Sequence, residues 1–88
     1  MEDQMKKQFA AIKEALDRNL DTIGILLDQA KSLSDIAETL SGKDQSQVKQ
    51  QLEEKVKDIL STVANLIKQT TELFTLYNNF AETALRNK

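Results

Sequence analysis

Eighty-eight residues and 9.9 kDa leave room for one small domain. With no Cys and no His, a disulfide framework, a thiolate nucleophile and the usual zinc, iron and copper ligand sets are excluded. A net charge of -2 with scattered Lys and Arg gives no electrostatic footprint for nucleic acid and no basic face for an anionic membrane, so support for so small a domain is expected from oligomerisation or a partner.

The absence of Pro, with only two Gly among many Leu, Ala, Lys, Glu and Gln, is the composition of an all-α chain. No apolar run approaches the roughly 18 residues that span a bilayer, so membrane insertion is not expected. Met1-Glu2-Asp3-Gln4 lacks the basic and apolar regions of a signal peptide. The expectation is a cytoplasmic chain, exported only if some other signal is read.

The first arm, residues 2 to 41, carries apolar residues in steps of three or four: Met5, Phe9, Ile12, Leu16, Leu20, Ile23, Leu27, Ala30, Leu33, Ala37 and Leu40. This spacing puts them on one face of a helix. In heptads with Phe9 at a, the a column is Phe9, Leu16, Ile23, Ala30 and Ala37, and the d column is Ile12, Asn19, Leu26, Leu33 and Leu40. Leu20 and Leu27 add a third column at e, wider than a two-helix seam requires. At the polar position in the d column, Leu20 is expected to take the inward place and leave Asn19 at the edge. Ser32-Leu33-Ser34 followed by Asp35-Ile36-Ala37-Glu38 resembles a fresh N-cap with an acid three residues on, so a kink there stands as the alternative to an uninterrupted helix. Gly24 lies within the helix at a cost of about 1 kcal/mol relative to Ala. Glu14, Asp21, Asp28 and Asp35 recur every seven residues on the opposite side and read as a solvated outer face.

The pattern stops at Leu40-Ser41-Gly42-Lys43-Asp44, close to mid-chain. Gly42 suits the position just past a helix end, where a left-handed residue is common. Asp44-Gln45-Ser46-Gln47 offers an N-cap acid with Gln three positions on. The predicted connection covers about residues 42 to 44, and so short a turn makes the two helices antiparallel neighbours.

The second arm, residues 45 to 86, is more regular. Val56, Val63, Thr70, Tyr77 and Ala84 form one seven-residue column; Leu52, Ile59, Leu66, Leu73 and Phe80 a second; Leu60, Ile67, Phe74 and Ala81 a third. Folding at the turn brings Phe74, Tyr77 and Phe80 opposite Met5, Phe9 and Ile12, with a packing role for Tyr77. Arms of roughly 38 residues are about 57 Å long. Two such helices cannot cover each other's three-column faces, and monomers rarely expose large apolar patches. The expected architecture is therefore an antiparallel two-helix hairpin that pairs with a second one, its own copy or another protein, into a four-helix bundle.

No catalytic constellation, Gly-rich phosphate loop or calcium-loop pattern occurs. Glu53 and Glu54 are adjacent and diverge on a helix, and Asp17 and Asp21 share an outward face. No catalytic, cofactor-binding or metal-binding residue is assigned, and the chain is expected not to be an enzyme.

In length, hairpin architecture and turn, the chain resembles the WxG family of type VII secretion substrates and the small helical partners that accompany LxG toxins. Leu40-Ser41-Gly42 stands where the family has Trp-x-Gly, keeping the glycine and replacing the tryptophan by leucine. Val48 and Leu52 match the apolar positions six and ten residues beyond that glycine. The family's export signal, a Tyr with an acid four residues later, is not met: Ala81 lies four positions after Tyr77, and Glu82 one further on. The resemblance implies a protein-protein interaction module whose partner is itself as a homodimer or a second helical protein, such as a larger LxG-type toxin. A cytosolic coiled-coil adaptor, chaperone or regulatory subunit and a polymerising structural subunit remain open alternatives.

Overall fold

The computed structural model describes residues 2–86. Met1, which entered the reading of the amino terminus, lies outside them. Helix α1 spans Glu2–Thr39, a single 3-10 turn spans Lys43–Gln45, and helix α2 spans Ser46–Arg86. The two long helices pack along each other as an all-α antiparallel hairpin. The result is a rod of 67 × 15 × 14 Å with a radius of gyration of 19.7 Å, well above the roughly 12 Å of a compact domain of this length. So thin a shape leaves much apolar surface uncovered.

Helix α1 continues without a break through Ser32-Leu33-Ser34. The local capping signal there is overridden because Leu33 and Ala37 belong to the packed face on either side of it. The helix ends two residues before the expected boundary at Ser41. Its last turn tightens, with Leu40 N donating to the Ala37 carbonyl at 3.2 Å and Thr39 Oγ1 donating to the Ile36 carbonyl at 2.7 Å. These bonds satisfy terminal carbonyls that a left-handed glycine would otherwise help to close.

Gly42 is accordingly not a left-handed cap. Its φ of -80° and ψ of 151° are extended, and no residue among those described has positive φ. It acts as the N-cap of the 3-10 turn instead: Gly42 N donates to Gln45 Oε1 at 3.4 Å, and Gln45 N donates to the Gly42 carbonyl at 3.1 Å. The capping pair is thus Gly42 with Gln45, in place of the expected Asp44 with Gln47. Asp44 sits inside the first turn, where its charge faces the exposed N–H groups favourably.

One heptad frame describes the contact between the helices. From Met5 through Leu40, the residue just past α1, every position that is at least half-buried, apart from Ala15 and Ser34, falls in the a or d column. On α2 the a-column residues Lys49, Val56, Val63, Thr70 and Tyr77 and the d-column residues Leu52, Ile59, Leu66, Leu73 and Phe80 are all at least half-buried, whereas Ala84, which continues the a column, is exposed. The Phe9 and Tyr77 rings meet at 4.4 Å with a 38° tilt near the open end. Stepping by seven in opposite directions from this contact puts Leu16 level with Thr70, Ile23 with Val63, Ala30 with Val56 and Ala37 with Lys49. The most buried residues, Leu16, Ala30, Ala37, Val63 and Thr70, all belong to the a column. Small side chains there let the backbones approach, and the aliphatic stem of a half-buried Lys49 is suited to cover Ala37.

Asn19, not Leu20, takes the inward place. Asn19 is half-buried in the d column, whereas Leu20 is 57% exposed. Moving Leu20 inward would need a rotation of about 100° at one layer of a rigid helix. That would pull Ile12, Leu16, Ile23 and Leu26 out of the seam together. Thr70 is accommodated differently, with Oγ1 donating to the Leu66 carbonyl at 2.6 Å, so its buried hydroxyl has a partner.

Replacing Leu66 or Leu73 with Lys is expected to destabilise the hairpin by about 3 kcal/mol or more, through an unpaired charge in the seam. Loss of the helical circular-dichroism signal at room temperature checks it. Thr70→Val is expected to hold or raise the thermal midpoint, because it removes a polar group without orphaning the Leu66 carbonyl, which keeps its helical N–H donor. A drop of several degrees would contradict this.

Candidate functional site

In an antiparallel pair that meets through a and d, the e columns of both helices border one flank and the g columns the other. The grooves follow this rule. A groove of about 570 Å³ is lined by Lys13, Leu20 and Phe74 from the e columns, with Leu16, Asp17, Thr70, Thr71 and Tyr77 beside them. A second groove, about 480 Å³, has Gln29 and Lys55 from the g columns, with Ile25, Asp28, Ser32, Leu33 and Ile59.

The flanks differ in chemistry. By the register, Lys13 lies within one residue of the level of Phe74, Leu20 of Ile67, and Leu27 of Leu60 on the e flank. Leu20, Leu27, Leu60, Ile67 and Phe74 are each between 45% and 57% exposed, so five large apolar side chains form one contiguous strip. The g flank at the same levels carries Thr22, Thr62, Gln29, Lys55, Ala15 and Gln69, with Ile25, 58% exposed, as the large apolar side chain beside them. It turns apolar near the turn, where Ile36 is level with Val48, and at Leu76.

The structure thus divides the residues singled out from the sequence into three sets. Phe9, Leu16, Ile23, Leu33, Val56, Ile59, Val63, Leu66, Leu73, Tyr77 and Phe80 line the seam inside the hairpin, and Leu40 and Gly42 with Asp44 form the connection. Leu27, Leu60, Ile67 and Phe74 lie on the open flank. Phe74 therefore belongs to the outer strip, one turn away from the Phe9–Tyr77 contact. Lys13, Asp17, Lys31 and Ala64 border the strip and were not legible from apolar columns alone. For Asp17, Lys31 and Ala64 the signal is the b column beside e, with Asp17, Gly24 and Lys31 at seven-residue steps on α1. Nothing stands within 4 Å of where a side chain on Gly24 would begin.

Among the described residues there is no cluster of acidic side chains able to hold a metal ion and no helix long and apolar enough to cross a membrane. Glu14, Asp21, Asp28 and Asp35 are exposed, and Glu14 pairs at 3.7 Å with Arg18 at the surface. No protein-family model, curated protein or solved structure gives a significant match to the chain.

Changing Asp21 and Asp28 together to Asn is expected to leave the folding free energy within about 0.5 kcal/mol, as surface substitutions away from packing usually do. Chemical denaturation checks this. A larger change would mean that the acidic stripe is part of a packed contact.

Proposed function

We propose that this chain is a non-enzymatic protein-protein interaction module that acts by pairing its open flank with another helical hairpin to form a four-helix bundle. The single observation that supports the reading is the strip of Leu20, Leu27, Leu60, Ile67 and Phe74 on one side of a rod that is already folded. A surface of this kind favours association, because burying apolar area releases about 25 cal/mol per Å².

Within that reading, the chain serves as a type VII secretion substrate or as the helical partner of a larger LxG-type toxin. The support is the match of architecture and of Leu40-Ser41-Gly42 with Val48 and Leu52 to the WxG pattern. A cytosolic adaptor or regulatory subunit is the second reading, favoured by Ala81 standing where the export signal has an acid.

Localisation separates the two. A tagged chain in its native cells is expected in the culture medium, and deletion of the secretion ATPase is expected to retain it in the cells. An unchanged distribution after deletion rejects export and leaves the adaptor reading.

A further inference from the structure

We infer that the g flank, between the middle of the rod and the turn, is a docking face for a basic amphipathic helix of another protein. This face lies on the side of the seam away from Leu20, Leu27, Leu60, Ile67 and Phe74, so it is available whether or not that strip is covered.

Helix α1 offers one stripe here, Ile25, Gln29, Ser32 and Ile36, in steps of four, three and four. Ile25 is 58% exposed and Ile36 50%. Val48, across the seam and within two residues of the level of Ile36, is 50% exposed as well. The groove of about 480 Å³ that starts at Ile25 includes half-buried Leu33 and Ile59 in its lining, with Gln29, Ser32 and Lys55 beside them. The face therefore has two apolar ends, Ile25 and the pair Ile36 and Val48, separated by about 17 Å of helix rise.

Such a face suits a helix. Side chains that stand three turns apart on a straight helix point within about 20° of one another, so a partner reaches both ends with a single apolar stripe. An extended segment would gain no main-chain hydrogen bonds, because helices bond their own backbones and present no sheet edge.

Charge makes the partner basic. Asp28 lines the groove, and Asp21, Asp35, Glu54 and Asp58 occupy the neighbouring f and c positions of the two helices. All of them are exposed, and none forms an ion pair within the chain among the described residues. The one base at the c, f and g positions of the helices from Asp21 to Thr62 is Lys55. Over the same stretch the b and e positions balance, with Lys31 and Lys57 against Glu38 and Glu53, so the acidity belongs to this face alone. Lys or Arg on both sides of the partner's stripe meets these carboxylates, and the long stems add apolar contact at the rim.

The test is fluorescence anisotropy of a labelled peptide of about 18 residues, long enough to span the face as a helix, with Leu placed to match the stripe and Lys on both sides of it. The peptide is titrated with the full chain, and the helicity of every variant is checked by circular dichroism. Saturable binding is expected, and a peptide with Glu in place of each Lys is expected to bind at least about tenfold more weakly. Ile25→Gln/Ile36→Gln is expected to weaken binding about tenfold through lost apolar contact. Asp28→Asn/Asp58→Asn is expected to weaken it about fivefold at low salt, an effect that fades at high salt. Glu72→Gln/Glu82→Gln, the same charge change away from the groove, and Leu20→Gln/Ile67→Gln, on the opposite flank, are each expected to stay within about twofold of the unmodified chain. Absence of saturable binding, equal binding of the Glu peptide, indifference to the Ile25 and Ile36 changes, or a loss in the Glu72 and Glu82 variant as large as in the Asp28 and Asp58 variant overturns the inference. Loss of binding in the Leu20 and Ile67 variant overturns it too, by moving the peptide to the other flank. The bundle reading fails separately, if that same Leu20→Gln/Ile67→Gln chain keeps all the associations of the unmodified chain in its native cells.

Discussion

Everything in this protein follows from a seam that has room for two columns between helices that carry three. An antiparallel pair of helices encloses the a and d positions, and nothing wider fits between two cylinders whose axes lie about 8–10 Å apart. Leu16, Ala30, Ala37, Val63 and Thr70 are sealed by that geometry. The third column, already half on the outside, has nowhere to go except one flank. The antiparallel direction then puts both third columns on the same flank. Parallel helices would have set each e column against a g column and divided the apolar surface between two sides.

The seam also explains how polar residues are tolerated where the pattern calls for apolar ones. Thr70 resolves its hydroxyl within its own helix, as Thr22, Thr62, Thr71, Thr75 and Thr83 do at the surface with the carbonyl four residues earlier. Lys49 and Asn19 sit in the seam half-buried, with part of each side chain within reach of water. A rod this thin has no deep interior. Asn19 in the d column therefore costs less than it would in a globular core.

The connection is closed by local bonds, with no left-handed residue. The tightened end of α1 and the Gly42–Gln45 pair do the closing, and Gly42 remains extended. With ordinary backbone angles at Gly42, the turn does not require a glycine for its shape. The surface that distinguishes this chain lies about 30 Å from it by helix rise, at the middle of the rod.

Much was determined by the residues alone. The absence of Pro, the spacing of three and four and the mid-chain break specify two long helices and an antiparallel hairpin, because helix periodicity and a short connection are local properties that neighbouring residues impose on one another. The sequence also determined that the apolar surface exceeds what two helices can hide. Which residues lie inside was decided only in the tertiary structure. Leu20 is more hydrophobic than Asn19 and adjacent to it, yet a helix rotates as a rigid body, so the neighbouring a and d residues together outweigh one side chain. The same holds for the flank: Leu20, Leu27, Leu60, Ile67 and Phe74 become one strip, bordered by Asp17 and Lys31, only when chain direction and register bring residues forty positions apart to the same level.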